Sequence, residues 1–189
     1  MGTSISQRSP DTPNWRLAQN AYTDPDMPVS DALREIWRAA SNENETNLMS
    51  HLARPEIASF AELAVLASSP SEAFEQVSTF VSDRKVASVA ADIAKRAVVQ
   101  SAGTDNPREF FFQRLFAEAT NYLVSRDLPG YVKVGGKFGN VSEARQFTQE
   151  MMNTAADAVR HTPTPVIMQD DDWSRYVRAV VSTIRRRQR

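Results

Sequence analysis

The sequence predicts an all-α protein, a single-domain helical bundle of about six to seven helices with one short β-hairpin or Gly-rich loop near residues 130–141. Three observations carry this expectation. Apolar residues recur at three- and four-residue spacing through most of the chain, helix-capping sequences punctuate that pattern, and period-two alternation occurs in one place. A chain of 189 residues has the length of one domain.

Residues 1–27 read as an irregular arm rich in Ser, Thr, Asp, Asn and Pro. Asn14 to Tyr22 has room for one helical turn, with Trp15 and Leu17 or Tyr22 docking on the body. Met1 to Ser6 fits the short myristoylation pattern, but nothing else in the chain points to a eukaryotic transferase, so no lipid anchor is expected.

The helical core domain is expected over residues 28–160. Ser30 is a good N-cap, and Ala32, Leu33, Ile36, Trp37 and Ala40 form one apolar stripe. A short helix near Glu45 to Ala53 must end before Pro55, because proline restricts the residue ahead of it. Ser59 to Glu62 and Ser69 to Glu72 have the form of capping boxes, and the second places proline at the first helical position. The helix after Ser69 carries Phe74, Val77, Phe80 and Val81, with a break near Asp83. Val86 to Gln100 continues at helical spacing.

Asn106-Pro107-Arg108-Glu109 opens the most apolar helix, through Phe110, Phe111, Phe112, Leu115, Phe116, Ala119, Tyr122 and Leu123. Three consecutive phenylalanines cover about 200° of helix surface, wider than one buried stripe. The helix is therefore either central or turns Phe110 or Phe111 toward a partner. Leu128-Pro129-Gly130 is a turn. Tyr131 to Val134 then alternates, and Gly135-Gly136 suits a two-residue hairpin turn with a return through Lys137 to Val141. Ser142 is expected to cap the next helix, which bears Phe147, Met151, Met152 and Ala155. Residues 161–169 form a Pro/Thr linker before an Arg-rich C-terminal helix over 170–189.

Charge is segregated. Net charge is −1, yet residues 1–172 carry 16 basic against 23 acidic side chains, while 173–189 hold six arginines and no acid. Arg175, Arg178, Arg185, Arg186, Arg187 and Arg189 flank Trp173 and Tyr176. Arginine bridges phosphates and stacks on bases, so these six are candidate nucleic-acid contacts. Arginines in a last helical turn also suit the dipole, which is the plain structural reading. Lys133 and Lys137 join the candidates, because they lie among Gly130, Gly135, Gly136 and Gly139, before a helix N-terminus, where backbone N–H groups can cradle phosphate. The spacing is not that of a Walker A loop.

Chemistry elsewhere is sparse. The chain has no cysteine, which excludes disulfides, thiolate nucleophiles and cysteine-ligated metals. His51 and His161 both sit near expected helix ends, where the macrodipole favours them. Ser82 to Lys85 matches Ser-x-x-Lys without any companion motif. Asp170, Asp171 and Asp172 suit a helix N-terminus better than a cation site. A helix-turn-helix over Phe60 to Phe80, with Ala64, Ala67, Phe74 and Val77 internal, would place Glu72 and Glu75 toward DNA, which repels it. No catalytic residue, metal or cofactor is expected, although carboxylates brought together by folding would reopen the question.

No run of about 18 apolar residues exists to span a membrane, and no signal peptide is visible. A cytoplasmic location and no membrane partner are therefore expected. The expected function is that of a non-enzymatic helical subunit of a larger nucleoprotein assembly. It would contact an RNA or DNA backbone without reading sequence and would have other protein subunits as partners. The alternative is an interaction or regulatory module whose basic tail meets an acidic protein surface.

Overall fold

The computed structural model describes residues 13–41, 48–84, 86, 88–164 and 170–186. Its order is α1 (Pro13–Ala18), α2 (Asn20–Thr23), α3 (Val29–Ser41), α4 (Leu48–Leu52), α5 (Pro55–Leu66), α6 (Pro70–Arg84), α7 (Val89–Ser101), α8 (Pro107–Asp127), a 3-10 turn (Leu128–Tyr131), α9 (Val141–Arg160) and α10 (Asp170–Arg185). The fold is all-α, and the described residues contain no strand. Among the described residues nine helices have five residues or more, against the six to seven expected. The short α1 lies within the arm expected to be irregular, whereas the short α4 falls inside the helix expected near Glu45 to Ala53.

Local chemistry accounts for most starts. Asn106 caps α8 by accepting the Glu109 N–H at 3.4 Å, with Pro107 at the first helical position. Ser69 Oγ accepts the Glu72 N–H at 3.3 Å, and the Glu72 carboxylate accepts the Ser68 N–H at 2.9 Å. Ser88 caps α7 through the Ala91 N–H. Two expectations are corrected. α5 begins at Pro55 and runs straight through Ser59, because proline at N1 starts the helix one turn earlier. α9 is capped by Asn140 rather than Ser142. Asn140 Oδ1 accepts the Glu143 N–H at 3.0 Å, and the Glu143 carboxylate returns to the Asn140 amide and the Gly139 N–H.

The β-hairpin is not present. A single bridge pairs Val132 with Phe138, in the parallel sense, and the Lys133 N–H reaches the Phe138 carbonyl at 2.9 Å. The tight turn closes from the Gly136 N–H to the Lys133 carbonyl, so Val134 and Gly135 are its centre, not Gly135 and Gly136. Its one positive φ, at Gly135 (76°), is at the third turn position, as in a type II turn. That turn splays the flanking chain instead of matching strand twist. A Gly-rich loop results.

α8 is the central helix and packs against α9, α7, α5 and α3. Phe111, Phe112, Leu115 and Phe116 are fully buried, which resolves the triple phenylalanine. α1 and α2 close one end: Trp15 and Tyr22 are buried, Tyr22 stacks on Tyr131 at 5.1 Å, and the Arg126 guanidinium lies 5.0 Å from the Trp15 ring. The Leu17 side chain lies outside the described residues. α10 packs on α3, α9 and α5. Trp173 is fully buried, donates its indole N–H to the Leu52 carbonyl at 2.8 Å, and meets Phe112 at 5.7 Å. The body and the C-terminal helix therefore share one buried cluster.

Candidate nucleic-acid interface

α10 turns Trp173, Tyr176, Val177, Val180, Val181 and Ile184 inward. That stripe leaves Arg175, Arg178, Arg185 and Arg186 exposed. Their surroundings differ. Arg175 is held within the helix, its guanidinium 2.6 Å from the Asp172 carboxylate and 3.2 Å from the Asp171 carbonyl. Arg178, Arg185 and Arg186 line a shallow depression of about 370 Å³ together with Ser41, Met49, Val181 and Ser182. Among the described residues no carboxylate lines it and none of these three arginines forms an ion pair. Arg178, Ser182 and Arg185 follow i, i+4, i+7 spacing, so they share one face over roughly 10 Å of helix. The end of α3 and the start of α4 bring Ser41 and Met49 to that face.

Arg187 and Arg189 lie outside the described residues. Lys133 is exposed on the Gly-rich loop. Lys137 is turned inward: its ammonium donates to the Ala21 carbonyl at 2.9 Å and lies 5.0 Å from the Phe147 ring and 5.9 Å from that of Phe138. Burial holds its pKa below the ordinary lysine value, against the opposing pull of Asp24. Lys137 thus ties the loop to α2, and the depression it lines shares no residue with the arginine one. The phosphate cradle is also spent internally, since the Gly136 N–H serves the Lys133 carbonyl and the Gly139 N–H serves the Glu143 carboxylate.

Two further expectations are corrected by packing. Phe111 is fully buried and offers no partner interface, while Phe110 stays half-buried beneath the Arg114 guanidinium, 4.9 Å from its ring. Trp173 and Tyr176 lie in the core, on the apolar side of α10, and are not part of the exposed arginine surface. Phe74 is 62% exposed rather than internal, and Leu66 on α5 is 68% exposed. These two are apolar surface that periodicity alone did not reveal.

The catalytic candidates are engaged locally. His51, at the end of α4, has its pKa lowered by burial and then by Arg54. His161, just past α9, has a ring nitrogen 2.9 Å from the Asp157 carbonyl oxygen and 3.5 Å from its carboxylate. Asp172 is paired with Arg175, and the Asp170 side chain lies outside the described residues. In the Ser82 to Lys85 segment, Arg84 rests 5.0 Å from the Phe80 ring, and Lys85 is outside the described residues. Among the described residues no group of three or more His, Cys, Asp or Glu is placed to hold a metal ion, and no helix is long and apolar enough to cross a membrane.

Sequence reasoning found the arginines but missed their companions. The spacing of Arg178, Ser182 and Arg185 is legible along the chain; Ser41 and Met49 join only through folding. Comparison of the chain with known protein families, with curated proteins and with solved structures finds no match.

Proposed function

We propose that this chain is a non-enzymatic helical subunit of a larger nucleoprotein assembly, and that it holds a nucleic-acid backbone, RNA or DNA, without reading its sequence. The contacts are Arg178, Arg185 and Arg186, continued by Arg187 and Arg189 and helped by Lys133; Arg175 is secondary and Lys137 is not among them. One observation carries the reading: three arginines with no described carboxylate partner surround one depression on a chain whose first 172 residues are net acidic. Such a local cationic site attracts phosphates at short range, within about 8–10 Å at ordinary salt, and releases counterions on binding. The exposed Leu66 and Phe74 are the apolar surface offered to other protein subunits.

The test is the salt dependence of polyanion binding. Affinity should fall linearly with salt on logarithmic axes, with a slope of about −0.7 to −0.9 per phosphate contacted. Changing Arg185, Arg186, Arg187 and Arg189 together to alanine should flatten that slope by about 3. Unchanged affinity at low salt would sink the proposal. Copurification of a stoichiometric acidic protein that survives nuclease treatment would instead favour a protein surface as the target of the basic tail.

A further inference from the structure

We infer that the arginine depression takes a nucleotide of a single strand and discriminates against duplex. This rests on the backbone-binding reading above and deepens it. The depression is shallow and open, and its volume of about 370 Å³ is room for one small group lying against the surface. Its wall is mixed. Arg178, Arg185 and Arg186 supply cations, the Ser182 hydroxyl has no hydrogen-bond partner among the described residues, and the half-buried Met49 supplies apolar surface. A ligand that fills it must therefore be anionic at one end and flat or apolar at the other.

A nucleotide has that character. Its phosphate pairs with guanidinium groups, and its base lies against Met49, whose thioether makes favourable contacts with aromatic rings, or beneath an arginine plane. A duplex cannot present this unit, because its bases are paired inside a stiff cylinder and only its phosphates reach the protein. A single strand can splay one nucleotide outward. Among the described residues the wall holds no carboxylate or amide side chain to read a base edge, and the cations act on phosphate, which is the same in every sequence. Trp173 and Tyr176 lie in the core, so the depression takes the place of an aromatic platform.

The experiment uses the full chain, a labelled single-stranded oligonucleotide and the blunt duplex of the same sequence, compared by fluorescence anisotropy across a salt series. The single strand should bind about tenfold tighter than the duplex at matched salt. Met49→Ala should weaken single-strand binding about threefold while leaving its salt slope and duplex affinity unchanged, because no charge is lost. Photo-crosslinking with a halogenated uracil in the single strand, read by peptide mass spectrometry, provides a check on the unaltered protein, with adducts expected on the peptides holding Met49 or Arg178. Equal or tighter duplex binding, or crosslinks confined to other segments, overturns the inference; in that case the arginine-dependent salt slope still upholds backbone binding. No binding of either oligonucleotide at low salt overturns both.

Discussion

Arg175 and Arg178 are three residues apart on the same exposed side of α10, yet only one of them is occupied. Asp172 holds Arg175 at 2.6 Å, whereas Arg178 opens onto the depression with Arg185 and Arg186. An exposed pair within one helix contributes about 0.3–0.5 kcal/mol to stability, but it also fixes the side chain and offsets its charge. Replacing Arg178 by alanine should therefore cost about 1–2 kcal/mol of polyanion affinity, and replacing Arg175 less than half of that, as titration at low salt would reveal. The tyrosines make a separate prediction at this scale. Burial raises the Tyr22 hydroxyl pKa far above its ordinary 10.0 and pushes Tyr176 up to about 12. Both phenols resist ionisation in the folded state. Their contribution is full below pH 10 and is lost as pH rises from there toward 12 and beyond. Thermal melts should show a falling midpoint above pH 10, and Tyr176→Phe should reduce that fall.

At the scale of elements, the chain relies on caps and one special glycine. Asn140 joins the Gly-rich loop to α9 through a reciprocal box with Glu143, so Asn140→Ala should cost about 1 kcal/mol in denaturant unfolding. Gly103 follows α7 with φ of +73°, and a Cβ there would stand 2.8 Å from the Ser68 carbonyl oxygen. Extended backbone at Ala102 ends α7, the left-handed Gly103 completes the turn closed from the Thr104 N–H to the Ser101 carbonyl, and its close approach seats the α5–α6 connection. Gly103→Ala combines backbone strain with a clash against main chain, and should cost about 2 kcal/mol or more. An Asn140→Ala variant as stable as the parent would show that the loop is held by Lys137 and Phe138 instead.

At the scale of the whole molecule, α10 is both a wall of the core and the carrier of the arginines. Its inward face meets α3, α5 and α9, and Trp173 joins Phe112 and Tyr176 in an aromatic cluster. Trp173→Ala should destabilise the protein by about 3–5 kcal/mol, with the Leu52 carbonyl also losing its indole donor. Because one buried cluster includes residues from α1 to α10, unfolding followed by far-UV circular dichroism and by tryptophan fluorescence should coincide in one transition. Separate transitions would mean that α10 folds independently and that the arginines are presented on a mobile arm. A cooperative core makes them a preorganised surface, and that limits the entropy lost on binding.

The helical class, the starts of α6 and α8, and the segregation of arginine into the last 17 residues are all written in the chain. These are legible because capping, proline placement and helical period act within about four residues of chain. By sequence the segment near residues 130–141 is open between a hairpin and a Gly-rich loop, and the cap of α9 is misplaced at Ser142; in both, two local solutions compete and neighbouring contacts select one. Packing between distant helices settled that Phe111 is buried and Phe74 exposed, and that Lys137 points to the Ala21 carbonyl. It also brought Ser41 and Met49 beside Arg178, Arg185 and Arg186. The physical reason is that which side of a helix is covered, and by what, depends on helices far away in sequence. The arginines can be read from the chain; the depression they line exists only once α3, α4 and α10 pack together.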